Sequence, residues 1–407
     1  MVKTGNTIPN LRHLRAFREV AVRQSVSAAA ESVYLSQPAI TQAIAKLEDT
    51  LGVTLFDRRS GGMFVTEPGN RLLDRVTRML DYLRAGAREA ARVGHKKGAR
   101  GFANFDSLLT SAQLRALVAV ARTGNFTLAA RNTGISQPAL HRASRDLERL
   151  SGMALFNKAS CGIELTRPAA ILAQHTKLAL SELEQAFAEI DEWLGRDTGR
   201  IVVGTMPLAR SFVLPRAINA LLSDRPEVAI SVVDGPYDTL LSGLRHGEID
   251  LLIGALRMPP PIEDVRQDLL FDDPLAVVAR VDHPLAGRRN LTRSDLLAYP
   301  WIVPREGTPT RQHFDCVISG EEGAARIGMI ESSSLSLIRS LLADSDRLTL
   351  ISDHQVRREV ETGLLARLDF ALPGTARPIG VTTRSDWRPT ATQEAFLGHL
   401  RAAGKMI

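Results

Sequence analysis

Cysteine, aromatic residues and long apolar runs are all scarce in this chain of 407 residues. The two cysteines, Cys161 and Cys316, lie far apart and match no metal-ligand spacing. We expect both to be buried or incidental thiols in a reducing compartment, with a redox role as the less favoured alternative. No apolar run is long enough to cross a bilayer, and no signal-peptide pattern opens the chain. These absences predict a cytoplasmic protein without a membrane partner.

The motifs that mark common enzyme sites are missing as well. No glycine-rich loop ends in Gly-Lys-Ser or Gly-Lys-Thr, no paired-histidine zinc motif occurs, and no serine stands in a nucleophile elbow. Nine histidines and many serines and acids permit a triad on paper, but none has a catalytic context. We therefore predict no catalytic residue, no metal site and no cofactor.

The composition is that of a soluble globular protein, but its charge is unevenly spread. Hydrophobic residues make up 44% and charged residues 24%, and the length allows two or three domains. Lys+Arg against Asp+Glu is 17 to 9 over residues 1–100, 10 to 9 over 101–196, and 24 to 27 over 197–407. A basic front and a slightly acidic back predict that the front meets phosphates.

The most informative stretch runs from Ser36 to Glu48. Ser36 is a good helix N-cap, and Pro38 falls in the first turn, where its missing N–H costs nothing. A short alanine-rich helix precedes it at 27–33, with a tight turn between the two. This pattern predicts a helix-turn-helix whose second helix can enter the major groove of DNA. An ordinary helical hairpin is the alternative. The buried face of the second helix is predicted to comprise Ala39, Ile40, Ala43, Ile44 and Leu47.

A second copy of this stretch occurs one hundred residues later, in the same register. Ser36-Gln37-Pro38-Ala39 returns as Ser136-Gln137-Pro138-Ala139, and Leu55-Phe56 returns as Leu155-Phe156. A period this long predicts two duplicated domains rather than a solenoid. Further pairs in the same register are Leu14-Arg15-Ala16 with Leu114-Arg115-Ala116, Ala29-Ala30 with Ala129-Ala130, Leu47-Glu48 with Leu147-Glu148, and Thr66 and Pro68 with Thr166 and Pro168.

Residues 11–69 resemble the winged helix-turn-helix of LysR-type transcriptional regulators, and residues 114–168 resemble it less closely. The matching residues are Phe17, Ala29-Ala30, Ser36-Gln37-Pro38-Ala39, Leu47-Glu48, Leu51-Gly52, Leu55-Phe56, Arg58 and Thr66-Glu67-Pro68-Gly69. An ordinary member of that family has one such domain per chain, so two are a departure from its pattern.

The resemblance and the polar face of each second helix together predict the DNA contacts. The recognition faces differ, because His141 and Arg142 replace Thr41 and Gln42, and arginine can reach guanine edges. Because an acid, Glu164, stands in the second wing, a purely structural role for the second unit stays open. The predicted contacts are Ser36, Gln37, Pro38, Thr41, Gln42, Lys46, Arg58 and Arg59 in the first unit, and Ser136, Gln137, Pro138, His141, Arg142 and Arg145 in the second.

Two long helices with apolar stripes follow the two units. The first, at 67–92, is rich in arginine, whereas the second, within 168–196, is rich in glutamate. Opposite charges beside an apolar seam favour pairing of the two helices within one chain. Pairing between chains, as in the family, is the alternative. A basic, glycine-punctuated linker is predicted at 93–104.

From Arg200 onward, predicted strands alternate with helices, which is typical of a parallel α/β domain. Its motifs, among them Ile201-Val202-Val203-Gly204-Thr205 and His283-Pro284-Leu285, resemble the effector domain of the same family, which is similar to periplasmic solute-binding proteins. The resemblance implies a ligand cleft between two lobes. Strands are predicted at 201–204, 228–233, 250–254, 269–271, 275–278, 301–303, 326–330 and 379–383, and helices at 214–222, 239–245, 310–319, 333–343, 353–361 and 392–401.

Ligands in such folds lie beyond the carboxyl ends of the strands. Ser332 and Ser333 are predicted to open a helix whose free N–H groups suit an anion. The equal alternative is that Ser332-Ser333-Ser334 is a simple N-cap. Serine and threonine residues indicate a small polar or anionic metabolite. The predicted effector contacts are Thr205, Met206, Gly254, Ala255, Thr308, Thr310, Ser332 and Ser333.

Together these expectations describe an α/β multidomain chain in which two all-α winged helix-turn-helix domains with long linker helices precede a two-lobed, periplasmic-binding-protein-like effector domain. The predicted function is that of a sequence-specific regulator that binds double-stranded DNA and an effector, forms a homo-oligomer and contacts RNA polymerase. A ligand-independent architectural DNA binder is the alternative, and an enzyme with a DNA-binding front half is less favoured. The predicted boundaries are 8–66, 67–92, 93–104, 105–167, 168–196 and 199–407, with lobe one at 199–275 and 378–407 and lobe two at 281–374.

Overall fold

The computed structural model describes residues 8–94, 104–160, 162–196, 198–316 and 328–407. Two compact units result, 1–200 with 246–248, and 201–245 with 249–407. Cys161, most of the predicted basic linker and parts of the predicted segments at 310–319 and 326–330 lie outside the described residues. Cys316 is exposed, so it is not a buried thiol. Across these described ranges, no helix is long and apolar enough to span a membrane.

The first half of unit one is a helix-turn-helix followed by a two-stranded wing and a long helix. Ser36 caps the second helix of the motif by accepting from the Ala39 N–H at 3.4 Å, as predicted. Gly52, at φ 70°, ends that helix in the left-handed region that glycine favours. The elements are α1 (Leu11–Arg23), α2 (Val26–Val33), α3 (Gln37–Leu51), β1 (Phe56–Arg59), β2 (Gly62–Val65) and α4 (Glu67–Gly94).

The second half repeats this architecture, down to single hydrogen bonds. A carboxylate oxygen of Glu48 accepts from the Leu55 N–H at 2.7 Å, and one of Glu148 accepts from the Leu155 N–H at 2.8 Å. The predicted duplication is therefore present in the fold. After a short 3-10 turn at Phe105–Leu108, the elements are α5 (Ser111–Thr123), α6 (Phe126–Thr133), α7 (Gln137–Ser151), β3 (Phe156–Ala159), β4 (Gly162–Leu165) and α8 (Arg167–Trp193).

Helices α4 and α8 pack against each other within the chain, which confirms the predicted pairing of a basic with an acidic helix. Arg75, only 4% exposed, donates to Glu182 at 2.9 Å and to Gln185 at 2.6 Å, and it also pairs with Glu189. Arg78 donates to the other oxygen of Glu182 at 3.0 Å. Burial alone would lower the pKa of Arg75, but Glu189 and Glu182 raise it above its ordinary value.

The pairing is pseudo-symmetric, with a weaker counterpart on the opposite side. His175 stands one hundred residues after Arg75, and its Nε2 lies 3.2 Å from a carboxylate oxygen of Glu89. A Cβ on Gly86 would lie 2.5 Å from the Cβ of His175, so the helices approach closely at this glycine. Each pseudo-equivalent contact therefore joins a basic group to a glutamate, but the Arg75 contact has a buried arginine, whereas the Glu89 of the His175 contact is exposed.

Unit two contains two five-stranded sheets, and most of the predicted segments are present. Sheet I has the strand order β6-β5-β7-β14-β8, and sheet II has the order β11-β10-β12-β9-β13. The elements are β5 (Arg200–Thr205), α9 (Val213–Asp224), β6 (Ala229–Asp234), α10 (Tyr237–Arg245), β7 (Leu251–Ala255), β8 (Val265–Asp273), β9 (Leu275–Arg280), α11 (Arg293–Leu297), β10 (Trp301–Val303), α12 (Pro309–Phe314), β11 (Ile330–Glu331), α13 (Leu335–Ala343), β12 (Leu348–Ser352), α14 (Asp353–Glu361), β13 (Leu365–Arg367), β14 (Arg377–Arg384) and α15 (Ala391–Gly404).

The prediction of a purely parallel arrangement was wrong. Strand β5 is parallel to β7, but β14 is antiparallel to both β7 and β8. In sheet II, β9 is antiparallel to β12 and β13. Strand β14 lies between β7 and β8 and runs in the opposite direction to both, because the chain returns to sheet I only after it has formed sheet II. Both sheets are therefore mixed.

The chain passes from sheet I to sheet II between Asp273 and Leu275 and returns before Arg377. These crossings bring the end of β8, the start of β14 and the end of β12 close together. They position the polar residues described next.

Candidate nucleic-acid interface and effector site

Six of the eight predicted contacts of the first helix-turn-helix line one concave surface that encloses about 860 Å³. Helix α3 supplies one wall and the β1–β2 wing supplies the other. Of the predicted set, this surface includes Gln37, Pro38, Thr41, Gln42, Arg58 and Arg59, while Ser36 and Lys46 lie outside it.

The side chains on this surface differ in how firmly they are held. Thr41 donates its hydroxyl to the Gln37 carbonyl at 3.1 Å, which uses its proton within the helix. Arg59 lies 3.3 Å from Asp57 and 5.5 Å from the centroid of the Phe64 ring. Gln42 and Arg58 are exposed. Ser36 serves as the cap of α3, so its hydroxyl has a structural task.

The second recognition helix presents two arginines to solvent. Arg142 and Arg145 are exposed on α7, and neither forms an ion pair within the described ranges. His141 is half-buried, and its ring stacks on Phe126 at 3.9 Å between centroids. Gln137 accepts from Thr127 at 3.4 Å, and Ser136 makes no side-chain cap bond. Pro138 is exposed in the first turn.

Sequence reasoning missed a basic residue in the second wing. Lys158 lies in β3, one hundred residues after Arg58, and is exposed. The register of the repeat was the signal that could have found it. Glu164 lies on the neighbouring strand, opposite Asn157.

The predicted effector residues fall into separate places in unit two. Thr205 is fully buried and donates to the Met206 carbonyl at 3.1 Å. A Cβ on Gly254 would lie 2.6 Å from the Met206 sulfur, so this glycine makes room for Met206 beside Ala255 at the end of β7. Thr308 caps α12 by accepting from the Arg311 N–H at 3.3 Å.

The helix after β11 opens with a simple N-cap, which was the predicted alternative for Ser332-Ser333-Ser334. Ser334, not Ser332 or Ser333, is the N-cap of α13 and accepts from the Leu337 N–H at 3.5 Å. Ser332 accepts from the Ser334 N–H at 3.1 Å and is largely buried. The helix begins later than Ser332 because Ser332 still donates its backbone N–H to the Val303 carbonyl.

An ion pair between neighbouring strands of sheet I lies where the chain crosses to sheet II, and its aspartate is buried. Arg377 at the start of β14 pairs with Asp273 at the end of β8, and also donates to Thr310 of α12. The Ser352 hydroxyl, at the end of β12, donates to Asp273 at 2.5 Å. Burial raises the pKa of Asp273, while the charge of Arg377 and the Ser352 hydrogen bond oppose that rise.

One cavity of unit two has a volume of about 1140 Å³ and lies between helices on the side of sheet I and helices on the side of sheet II. Only Ser333 of the predicted effector set lines it. Its wall includes five arginines that sequence reasoning did not select, because they come from segments far apart in the sequence. These are Arg210, Arg216, Arg339, Arg357 and Arg358.

Comparison with known families identifies both halves of the chain. The model "Bacterial regulatory helix-turn-helix protein, lysR family" matches twice, at residues 11–70 and 111–170. The model "LysR substrate binding domain" matches residues 194–405, which is more than half of the chain. The chain belongs to the LysR family of transcriptional regulators. It is thus a ligand-dependent DNA-binding regulator, and members of this family form oligomers.

Two curated relatives differ in how much of this chain they cover. The "HTH-type transcriptional regulator GalR" of Pseudomonas putida is 34% identical over 394 residues, covering 97% of each chain. YdcI of Escherichia coli, an uncharacterized HTH-type transcriptional regulator, is 31% identical over 69% of this chain and 92% of its own. The alignment with GalR therefore spans both helix-turn-helix units, whereas YdcI is the shorter protein.

Solved structures of the family share the fold. Full-length OxyR from Pseudomonas aeruginosa superposes with a TM-score of 0.54 at 23% identity, over 72% of this LysR-family chain and 97% of its own. CbnR in complex with its target DNA gives 0.51 at 19% identity, over 72% and 98%.

Proposed function

We propose that one chain of this LysR-family regulator carries two joined DNA-reading heads with different sequence preferences. The observation that carries the proposal is the pairing of α4 with α8, whose buried Arg75 network joins the two winged units within a single chain. The proposal keeps the predicted domain boundaries, with a basic linker between α4 and the second head.

The two heads differ at the positions that meet base edges. The first head offers the amides of Gln37 and Gln42, and amide side chains pair with adenine. The second offers Arg142 and Arg145, and arginine pairs with guanine. One chain therefore recognises an asymmetric site, with one half-site for each head. A purely structural second head is the competing hypothesis, and the exposure of both arginines favours reading.

Footprinting on the DNA upstream of its own gene tests both heads. We expect Gln42→Ala and Arg142→Ala to erase protection over different segments, because each loses about 1–3 kcal/mol of base discrimination. Arg149→Ala is the matched control, since Arg149 is an exposed arginine at the far end of α7 that pairs with Asp146 at 2.8 Å. Loss of protection with Gln42→Ala alone would make the second head a structural partner.

Lys158 supports the second head through the DNA backbone. We expect Lys158→Ala to weaken binding about equally for every sequence, because a phosphate contact carries no base information. The slope of log affinity against log salt concentration is negative, and its magnitude should fall by about one. Lys158→Arg keeps the charge and should keep the slope. A change in sequence preference instead of slope would contradict a backbone contact.

The effector half controls the heads through a small polar or anionic metabolite bound between two lobes, similar to those of periplasmic binding proteins. Sheets I and II form the cores of these lobes, and the crossings at Pro274 and before Arg377 act as the hinge. Such a ligand shifts the arrangement of the heads only to the extent that it binds one arrangement better. The altered DNA geometry then changes recruitment of RNA polymerase.

An architectural DNA binder would behave differently in one measurement. Its affinity for all sequences would be alike and set by salt. Competition with unrelated DNA at moderate salt distinguishes the two functions, and we expect the upstream site to be retained.

A further inference from the structure

The arginine-lined cavity of unit two draws its charge from both sheets. Arg210 lies in the short turn after β5, and Arg216 lies in α9, which packs on sheet I. Arg339 lies in α13, and Arg357 and Arg358 lie in α14, on the side of sheet II. All five line the same space of about 1140 Å³.

The protein neutralises this charge only in part. Arg339 lies 2.9 Å from Glu359, Arg357 lies 3.2 Å from Glu361, and Arg210 lies 3.5 Å from Asp234. Arg216 contacts the Met406 sulfur, a weak acceptor, at 3.2 Å. Throughout the described portion of unit two, no carboxylate pairs with Arg216 or Arg358, so the wall keeps a net positive charge.

Two of these arginines meet on one aromatic ring. The guanidinium carbons of Arg216 and Arg357 lie 4.0 and 5.7 Å from the centroid of the Phe212 ring. They come from the two different sides of the cavity. Like charges held this close repel each other, so an anion between them would lower the free energy of the arrangement that keeps both sides together.

We propose that this cavity binds a small organic anion with at least two negative charges, either a di- or tricarboxylate or a phosphate ester. Both groups match the planar fork of arginine, which forms paired hydrogen bonds with them. Phe212, Pro215 and Leu335 supply an apolar surface for the carbon body. The inference rests on the proposed effector control of unit two, and it names the chemical class and the place of the ligand.

The anion acts by bridging. Arg216 on the sheet I side and Arg358 on the sheet II side each bind one of its charged groups. The arginines of both sides are then attracted to the same anion, which offsets the repulsion between them. A ligand with a single charge can engage only one side, and a neutral ligand can engage neither.

Calorimetric titration of the full chain at low ionic strength tests this site. The probes are citrate and glycerol 3-phosphate, with acetate and glycerol as singly charged and neutral controls. We expect citrate or glycerol 3-phosphate to bind, and Kd to rise about tenfold or more in Arg216→Ala and in Arg358→Ala, because each loses a charged hydrogen bond. Arg401→Ala, an exposed arginine of α15 paired with Glu394 at 3.2 Å, should leave Kd unchanged.

The outcomes separate the site from the wider function. Binding of citrate alone assigns a carboxylate ligand, and binding of glycerol 3-phosphate alone assigns a phosphate ester. The proposal is wrong if neither probe binds, if acetate binds as tightly, or if both arginine variants keep the wild-type Kd while thermal unfolding shows them folded. A DNA footprint that persists in those cases leaves the regulatory function standing. If citrate binds but the footprint of the wild type does not change, the site is upheld and its coupling to DNA fails.

Discussion

Replacing Arg75 with alanine should destabilise the α4–α8 pairing by about 3 kcal/mol, the low end of the range for breaking a buried ion pair. Arg75 and Glu182 are both about 4% exposed, and Glu189 is 17% exposed. Without Arg75, two glutamates stay near each other in an apolar seam. Because Arg78 still reaches Glu182 at 2.9 Å, the cost stays below the top of the range.

Hydrogen exchange of the α4 and α8 amides in the full chain measures this loss by region, which a single melting temperature for a multidomain protein does not. Arg88→Ala is the matched control, because Arg88 is an exposed arginine on the same helix. The double variant Arg75→Ala/Glu182→Gln should cost less than the sum of its single changes, since glutamine leaves no buried charge. Equal protection in wild type and Arg75→Ala would show that the helices do not pair through this network.

The same network explains why α8 prefers α4 to a second copy of itself. In an α8–α8 pair, Glu182 and Glu189 would face His175 of the other copy, because His175 takes the place of Arg75 in the repeat. The glutamates would then lose their ion pairs with Arg75 and Arg78. Burying a carboxylate without a firm partner is unfavourable, so the charges favour the mixed pair. The pairing of α4 with α8 therefore joins the two winged units of one chain.

The sequence predicted the DNA-binding half better than the effector half, and the reason is local. Helix caps such as Ser36 and tight turns are signals carried by neighbouring residues, and the duplication is visible directly from the one-hundred-residue register. All of these appear in the fold. The pairing of α4 with α8 was also predictable, because opposite charge along two apolar stripes is visible in sequence. The stacking of His141 on Phe126 was not, because it depends on how α6 meets α7.

The effector half depended on long-range contacts that periodicity does not encode. Strand β12 lies in the middle of sheet II with all five residues buried, but a short apolar run after a helix gives no period to distinguish it. The antiparallel insertion of β14 depends on the path of the returning chain. The arginine cavity is assembled from α9, α13 and α14, so no motif marks it. Arg377 and Asp273 meet across 104 residues of sequence.

This Asp273–Arg377 pair carries the second large expected effect, because the aspartate is fully buried at the point where the chain crosses between the sheets. Arg377→Ala removes its counter-ion and leaves the Ser352 hydroxyl as its remaining side-chain partner. We expect the free energy of unfolding of unit two to fall by about 3–5 kcal/mol. Arg266→Ala on the same strand as Asp273 is the control, since its exposed pair with Asp268 at 3.1 Å should contribute at most about 1 kcal/mol.

The pH dependence of this loss identifies its cause. Burial already raises the pKa of Asp273, and removing Arg377 takes away the largest opposing effect. A raised folded-state pKa stabilises the fold below the unfolded-state value and loses that stabilisation as pH rises through the folded-state value. The deficit of Arg377→Ala should therefore shrink as pH is lowered, as followed by denaturation monitored at the amides of unit two. Arg377→Ala/Asp273→Asn should recover stability at neutral pH and lose this pH dependence. A deficit that is constant with pH and unchanged by Asp273→Asn would instead assign the effect to lost packing of the arginine side chain.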